Sequence, residues 1–336
     1  MERATLISIA ERTGVSITTI SRVLNGKAEK YRISAKTVER VREEARRCNY
    51  IPNINAQSLR TNRTRTIGLV VPAIDNPFFA NIASSIIRKA KEAGYTVVLA
   101  DAMESAENER ENAASLLTRN VDGIILSPSG SDPAYLEQIN DTKAPVVLVD
   151  RFFFDTTLPY VIADNYRGAR EATEHLIANG HERIACIRGV AHSSVVVERQ
   201  RGYCDAMRAA GLEAQIDCVG SDFSIQNGYV ETRMLLARRN PPTALFAMSN
   251  TILLGAIKAV DESGLTIPDD LSVVSFDDNT YLDFMKPAIS RIVQPLDEIG
   301  AIALTLLLQS IEAGNRSDSH IVLPPRFKVC ASVKRL

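Results

Sequence analysis

The chain has 336 residues, 45% of them hydrophobic and 24% charged, which fits a folded protein of two or three domains and excludes a disordered or fibrous chain. Its five cysteines are widely spaced and odd in number, so we expect reduced thiols in a cytoplasmic protein rather than a disulfide framework. There is no apolar signal core at the N-terminus and no apolar run of membrane-helix length, so no membrane partner is expected.

The net charge of −1 hides an uneven distribution of charge along the chain. Residues 1–65 hold 14 Lys and Arg against 6 Asp and Glu, a net charge of +8. Residues 66–336 hold 25 against 34, a net charge of −9. A small basic head on an acidic body is typical of a nucleic-acid-binding module joined to a second domain.

The head begins with two short helical patterns separated by Gly14. Gly14 can take the positive φ of a sharp turn, and Ser16 is a good N-cap for the second helix. Such a helix–turn–helix exposes the start of its second helix, which here carries small hydroxyl groups and one guanidinium. These candidate DNA-reading residues are Ile17, Thr18, Thr19, Ser21 and Arg22. A surface helical hairpin with no role in DNA binding fits the same pattern.

A third helix, capped by Ser34, is predicted to close a three-helix core, so the helix-turn-helix domain is expected over residues 1–52. Residues 53–65 then form a polar, basic linker that is too short to be a stable helix by itself. An exposed Leu59 in this linker either has no role or acts as a wedge between base steps of DNA.

From residue 66 apolar strands alternate with amphipathic helices, which predicts right-handed crossovers and parallel sheets. The predicted strands are 66–71, 95–100, 121–126, 145–149, 160–163, 183–188, 215–219, 243–247 and 271–276. The predicted helices are 78–93, 107–119, 132–140, 165–179, 198–210, 225–238, 251–262 and 295–312, and the tail 319–333 adds one or two edge strands.

The strand–helix rhythm restarts near residue 160, so the fold class is a small all-α head plus an α/β body of two doubly wound, parallel-sheet lobes. The body is expected over residues 66–336. Its first lobe would span about 66–161 plus 292–320, and its second lobe about 162–291 plus 321–336.

Two such lobes enclose a cleft, and ligands of open α/β sheets bind beyond the carboxyl ends of the strands. Aromatic rings, carboxamides, carboxylates and guanidiniums follow the predicted strands, and this mixture suits a polyhydroxylated ligand. The candidate effector site consists of Asn76, Phe78, Phe79, Asp150, Arg151, Arg199, Asn250, Asp277 and Gln294. Taken singly, Asp150 could instead cap a turn, Asn250 could cap the helix after it, and Arg199 is expected at a helix start.

The sequence lacks three common motifs of enzyme chemistry. The first strand is not followed by Gly-x-Gly-x-x-Gly, and the chain has no Walker lysine and no Gly-x-Ser-x-Gly. The four histidines lack metal-ligand spacing, so neither a metal nor a cofactor is expected. An α/β enzyme and a transport-type sugar-binding protein without a DNA role remain alternatives, because fold alone does not decide between them.

Over essentially its full length the sequence resembles the lactose-repressor family of bacterial transcription regulators. The motifs that carry the resemblance are Gly14-Val15-Ser16, Thr19 to Asn25, Asn49 to Asn53, Asn76-Pro77-Phe78-Phe79, Val149-Asp150-Arg151 and Ser275 to Asp278. The resemblance implies a homodimer, or a dimer of dimers, on a palindromic DNA operator. It also implies a repressor of carbohydrate-utilisation genes that a small sugar or sugar derivative controls allosterically.

The resemblance assigns roles to individual residues. Major-groove contacts are implied for Ile17, Thr18 and Arg22, and phosphate contacts for Thr5, Ser16, Thr19, Ser21 and Asn25. Further DNA contacts are implied for Leu6, Tyr50, Asn53 and Ala56, with Leu59 opening the minor groove from a hinge helix over residues 54–60. The body is implied to be periplasmic-binding-protein-like, with the sugar bound by the nine cleft residues.

The sequence departs from the family pattern at two places. The loop Lys27–Arg32 is longer than usual, which bears on phosphate contacts. Thr251 stands where many relatives carry an aspartate after the asparagine, which leaves the identity of the effector open.

Overall fold

The computed structural model describes residues 5–50 and 63–336. The chain divides into two units between Thr64 and Arg65. The predicted DNA contacts Asn53, Ala56 and Leu59, and the predicted hinge helix, lie outside the described residues. Within the described ranges, no helix is both long enough and apolar enough to cross a membrane.

Three helices form the head: α1 (Leu6–Thr13), α2 (Ile17–Leu24) and α3 (Ala35–Arg47). Gly14 ends α1 at a φ of 64°, and the Ser16 side chain accepts a hydrogen bond from the backbone of Thr19, as the sequence predicts. Ser34 caps α3 in the same way. The apolar sides of the three helices pack into one small core around Ile20 and Val41, which confirms the predicted helix–turn–helix.

The body contains the remaining described strands and helices. The strands are β1 (Thr66–Val71), β2 (Thr96–Asp101), β3 (Gly123–Leu126), β4 (Val146–Val149), β5 (Tyr160–Ala163), β6 (Ile184–Ile187), β7 (Asp217–Val219), β8 (Ala244–Ala247), β9 (Ser272–Phe276), β10 (Ser290–Val293), β11 (His320–Leu323) and β12 (Arg326–Lys328). The α-helices are α4 (Pro77–Glu92), α5 (Ala106–Thr118), α6 (Ala134–Thr142), α7 (Asn165–Ala178), α8 (Ser194–Ala209), α9 (Ile225–Leu236), α10 (Asn250–Glu262) and α11 (Leu296–Ala313).

Each lobe is a six-stranded sheet with helices on both faces, which confirms the predicted fold class. The first sheet has the order β11-β5-β4-β3-β1-β2 and is entirely parallel. The second has the order β12-β10-β9-β8-β6-β7, and only its edge strand β12 is antiparallel. Separate apolar clusters fill the two faces of each sheet, so every central strand is buried on both sides.

The sheets place some residues differently from the sequence expectation. Ile292 and Val293 belong to the second lobe's sheet, whereas residues 321–323 pair with β5 in the first. The sequence pattern does not predict strand β10, because Arg291 interrupts its run of apolar residues. Arg291 is fully buried there, where its guanidinium pairs with Asp278 at 2.5 Å and Asp283 at 2.8 Å.

Helices α9 and α10 approach each other so closely that two glycines are required between them. A Cβ atom at Gly228 would lie 2.1 Å from the carbonyl oxygen of Ile252, and one at Gly255 would lie 2.0 Å from that of Ile225. Both obstacles are backbone atoms, which cannot rotate away. The second lobe therefore depends on the absence of a side chain at these two positions.

We predict that Gly255→Ala destabilises the body by more than the roughly 1–3 kcal/mol typical of core overpacking, because the two helices must separate. The measurement is the thermal melting temperature. Lys258→Ala, on the exposed face of α10, removes a solvent-exposed ion pair with Glu262 and a 5.4 Å contact of the ammonium with the Tyr229 ring, and it should change the melting temperature little. Equal melting temperatures for Gly255→Ala and Lys258→Ala would contradict this account of the helix pair.

Candidate functional site

The start of α2 forms the exposed surface that the sequence analysis assigns to DNA. Ile17 is 45% exposed, and Ser16 and Thr18 are exposed beside it. Thr5 caps α1, since its side chain and that of Ser8 each accept a hydrogen bond from the other residue's backbone N–H. Thr5 is exposed as well.

Arg22 lies on the ring of Tyr31, with its guanidinium carbon 3.8 Å from the ring centroid. Tyr31 belongs to the long loop Lys27–Arg32, which is an ordered turn in which Tyr31 N–H donates to the Lys27 carbonyl at 3.3 Å. The loop thus supplies an aromatic platform that fixes the direction of the one arginine predicted to read bases.

The remaining predicted DNA contacts of the head have packing or capping roles inside it. The Asn25 amide donates to the Ser21 carbonyl at 2.7 Å and to its hydroxyl at 3.2 Å, which closes the end of α2. Leu6 and Tyr50 pack against the head core while part of each stays exposed. Thr19 hydrogen-bonds the Ser16 hydroxyl at 2.9 Å.

In the body, the first-lobe candidates gather at the carboxyl ends of β1 and β4. Asn76 caps α4, because its side-chain oxygen accepts from Phe78 N–H at 3.0 Å. Phe78 and Phe79 are buried and meet edge to face, with ring centroids 5.1 Å apart. Asp150 follows β4 with a φ of 63°, a left-handed conformation that a non-glycine residue adopts at a cost and that is concentrated at functional sites.

Arg151 is buried beside Asp150 and connects the two lobes. Its two terminal nitrogens each donate to the carboxylate of Glu104 at 2.7 Å. The guanidinium lies between two aromatic rings, 5.4 Å from the centroid of Phe79 and 5.2 Å from that of Phe223. Phe223 belongs to the second lobe, so the first lobe's arginine contacts aromatic walls on both sides of the cleft.

Arg199 holds the second lobe's side of the cleft. The sequence analysis placed it at a helix start, but α8 begins at Ser194, which puts Arg199 in the second turn. Its Nε donates to Asn165 at 2.8 Å, Nη1 donates to the carbonyl of Met248, and Nη2 lies 3.7 Å from the Asp277 carboxylate. The guanidinium carbon lies 3.7 Å from the ring centroid of Phe276, the last residue of β9.

Asp277 follows β9 as Asp150 follows β4, and it too has a positive φ, of 76°. The side-chain amide of Gln294 donates to Asp277 at 2.6 Å. Ser249 is the N-cap of α10 and Asn250 is its first helical residue, so the alternative interpretation of Asn250 as the cap is wrong. Its side chain consequently points away from the capping position and is completely buried.

Several buried polar atoms of the cleft have no hydrogen-bond partner among the residues that the structure describes. They are Asp150 Oδ1, Arg151 Nε, Asn250 Nδ2, Asn250 Oδ1 and Gln294 Oε1. All four residues are at most 6% exposed, and buried polar groups of native proteins are rarely unpaired. Donors and acceptors are both present, so the cleft is matched to a ligand that can donate and accept at several positions.

Three cleft residues were missed by the sequence analysis: Glu104, Asn165 and Phe223. Each follows a strand, namely β2, β5 and β7, so the rule of strand ends would have found them if it had been applied to every strand. Thr251, the departure from the family pattern, bonds through its hydroxyl to the backbone carbonyl of Phe223. It therefore helps to hold the Phe223 ring in the cleft.

Burial raises the pKa values of the two strand-end aspartates. Burial away from water raises the pKa of Asp150 to about 7, and Arg199 and Arg151 oppose this rise. Burial likewise raises the pKa of Asp277, and Arg199 and the amide of Gln294 oppose it. Asp150 thus changes its charge near neutral pH.

A helix–turn–helix head with exposed hydroxyls and a fixed arginine, joined to a two-lobed body with a polar cleft, defines a ligand-responsive regulator of transcription. The family model described as bacterial regulatory proteins, lacI family, matches residues 5–53. The model described as periplasmic binding proteins and sugar binding domain of LacI family matches residues 64–330. The chain therefore belongs to the LacI family of bacterial transcription regulators, which sets aside the enzyme and transport-protein alternatives.

Individual relatives agree with this assignment. The chain is 34% identical to the ribose operon repressor of Halalkalibacterium halodurans over 330 residues, 98% of this chain and 97% of that protein. The lac repressor dimer bound to operator and an anti-inducer matches with a TM-score of 0.89 at 27% identity, covering 99% and 100% of the two chains. A LacI family regulator from Enterococcus faecium with bound ribose matches with a TM-score of 0.72 at 28% identity, covering 81% and 99%.

The folded-state pKa of Asp150 lies above its unfolded value. Ionisation of Asp150 therefore lowers the free energy of unfolding as the pH rises toward 7, and lowers it no further above pH 7. We predict that Asp150→Asn gains stability relative to the unmodified protein between pH 5 and 7, by at most about 1.4 kcal/mol per pH unit, and that the difference levels off above pH 7. Denaturant unfolding at several pH values measures it. A difference that is constant from pH 5 to 8 would contradict the assignment.

Proposed function

We propose that the chain represses carbohydrate-utilisation genes by binding a palindromic operator as a homodimer, and that a small monosaccharide in the body cleft controls this binding. The observation that carries the effector class is the set of unpaired buried atoms on Asp150, Arg151, Asn250 and Gln294. A sugar hydroxyl both donates and accepts, so adjacent hydroxyls can pair with carboxylate, guanidinium and carboxamide groups at once. An apolar effector would leave all of these groups unpaired, at a cost for each.

The aromatic side chains of the cleft support a sugar over a purely polar ligand. Phe79 and Phe223 approach Arg151 from opposite lobes, and their rings offer apolar surface to the C–H faces of a sugar ring. The names of two relatives point the same way, since one is a ribose operon repressor and another was solved with bound ribose. An aldopentose is accordingly our first choice of effector.

The DNA-binding half of the proposal rests on the exposed face of α2. Ile17, Thr18 and Arg22 would read base edges in the major groove, while the hydroxyls of Ser16 and Thr19 would contact phosphates. The charge of +8 on residues 1–65 supplies the sequence-independent part of the affinity. A repressor dimer bound to operator is the state in which one relative was solved.

Control of DNA binding by the sugar follows from differential affinity. If the sugar and the operator favour different lobe arrangements, each weakens the binding of the other by the same factor, and if they favour the same arrangement each strengthens it. Asn53, Ala56 and Leu59 would form the hinge contacts through which the arrangement is transmitted. We place the protein in the cytoplasm, in keeping with the five unpaired cysteines of the described residues.

We predict that Arg22→Ala lowers the preference for operator over unrelated DNA by roughly ten- to a hundredfold, because a guanidinium contact to a base is lost. Tyr31→Ala should cause a smaller loss, since Arg22 keeps its charge but not its platform, and Tyr31→Phe should bind like the unmodified protein. Fluorescence anisotropy titrations at one fixed salt concentration measure all three. An unchanged operator preference in Arg22→Ala would show that α2 does not read the sequence.

We predict that Asn250→Ala keeps or raises the melting temperature, because the buried amide has no partner in the described part of the chain, yet weakens sugar binding by about tenfold or more. Asn165→Ala is the matched contrast. Asn165 is equally buried but accepts from Arg199, so its loss should lower the melting temperature. A thermal-shift screen with monosaccharides identifies the sugar first. Normal sugar binding by Asn250→Ala would overturn the cleft assignment.

A further inference from the structure

The pairing with Glu104 occupies the two terminal nitrogens of Arg151, through which an arginine normally binds anions. Both terminal nitrogens donate to the Glu104 oxygens at 2.7 Å, and Nη1 also reaches the carbonyl of Pro128 at 3.3 Å. A guanidinium binds phosphate or carboxylate best through such a two-pronged contact. In this protein Glu104 already makes that contact. The third nitrogen, Nε, is buried and has no hydrogen-bond partner among the described residues.

Glu104 is held in a strained backbone conformation. Met103 and Glu104 adopt positive φ angles of 51° and 52° in succession, although neither is a glycine or an asparagine. The turn is fixed because Met103 N–H donates to Asp101 at 3.0 Å and Glu104 N–H donates to the Pro72 carbonyl at 2.7 Å. Consecutive residues in this region cost free energy, and such strain is concentrated at functional sites.

Arg199 does not provide a substitute anion site. Its donors face Asn165, the Met248 carbonyl and the Asp277 carboxylate. Each of the two guanidiniums of the cleft thus faces a carboxylate of the protein, Arg151 that of Glu104 and Arg199 that of Asp277. A phosphate or carboxylate on the ligand would add negative charge to a buried site in which both guanidiniums are already compensated by carboxylates.

We propose that Glu104 is a specificity-determining residue of the cleft, which aligns Arg151 for the hydroxyls of an uncharged sugar and excludes phosphorylated or carboxylated forms of that sugar. This inference rests on the function proposed above. It goes further because it states which chemical form of the sugar the regulator senses: the free sugar before phosphorylation or oxidation.

A feature of the cleft that could favour anions is the N-terminus of α8. The helix begins at Ser194, next to a cavity of about 220 Å³ that Arg151, His192 and Ser193 help to line. The Ser194 hydroxyl is engaged, since it accepts from the backbone of Phe152 at 3.0 Å. The experiment below decides between this helix end and the exclusion by Glu104.

The test is isothermal titration calorimetry of the full chain with paired probes: ribose and ribose 5-phosphate, and glucose and glucose 6-phosphate. For the neutral sugar that binds, we expect the unmodified protein to prefer it over its phosphate by at least about a hundredfold. Glu104→Gln should reduce that preference by about tenfold or more, because the carboxylate charge is removed. Glu104→Asp should keep the preference, because the charge stays. It should lower the affinity for the neutral sugar, because the two-pronged contact with Arg151 is lost.

Glu107→Gln is the matched control, since it removes the same charge from the exposed first turn of α5. It should leave both affinities unchanged. Binding of the phosphate by the unmodified protein as tightly as the neutral sugar would overturn the inference while leaving a sugar-binding regulator. An equal preference in Glu104→Gln and the unmodified protein would overturn the role of Glu104. Failure of the unmodified protein to bind any neutral sugar would refute the proposed function and this inference with it.

Discussion

The charge of Arg199 has to be compensated away from water, and much of the second lobe's site is arranged by that requirement. Its donors bring together the start of α7, the end of β8 and the end of β9, through Asn165, Met248 and Asp277. Removing one partner of such a buried arrangement leaves an uncompensated charge or an unpaired polar group, which is strongly destabilising. The same contacts that stabilise the lobe therefore fix the direction of the groups that face the ligand, and Asp277 can neither rotate nor be replaced independently of Arg199.

Two residues that are bonded to the Arg199–Asp277 pair lie where the chain passes from one lobe to the other. Between residues 63 and 336 the chain crosses at 163–165, 293–296 and 323–326. Asn165 sits on the first crossing and Gln294 on the second, and each is bonded to the Arg199–Asp277 pair. A change in the angle between the lobes therefore moves two crossings whose residues are bonded to the ligand site. This gives the cleft a physical means of favouring one lobe arrangement, which is what allosteric control requires.

Local signals made most of the head and the strand rhythm predictable from sequence. The turn at Gly14 and the cap at Ser16 depend on neighbours in the chain, so composition and spacing were enough. Long-range pairs were not predictable in this way. Arg151 and Glu104 are 47 residues apart, and strand β10 contains a buried arginine whose acidic partners lie 8 and 13 residues away. In each case the sequence gives no sign of the carboxylate that compensates the buried guanidinium.

The two interpretations of Asn250 that the sequence left open, helix cap and ligand contact, differ by a single residue in where α10 begins. Ser249 rather than Asn250 caps α10, and that shift of one position turns the Asn250 carboxamide into the buried interior of the cleft. A capping asparagine would be satisfied by its own helix and would have nothing to offer a ligand. The unpaired amide instead costs stability in the unliganded protein, and a ligand that pairs with it recovers that cost as binding free energy. Groups that already hydrogen-bond to Arg199 gain little free energy from a bound ligand. The cleft residues with unpaired polar atoms gain most, so they are best suited to make the lobe arrangement depend on the ligand.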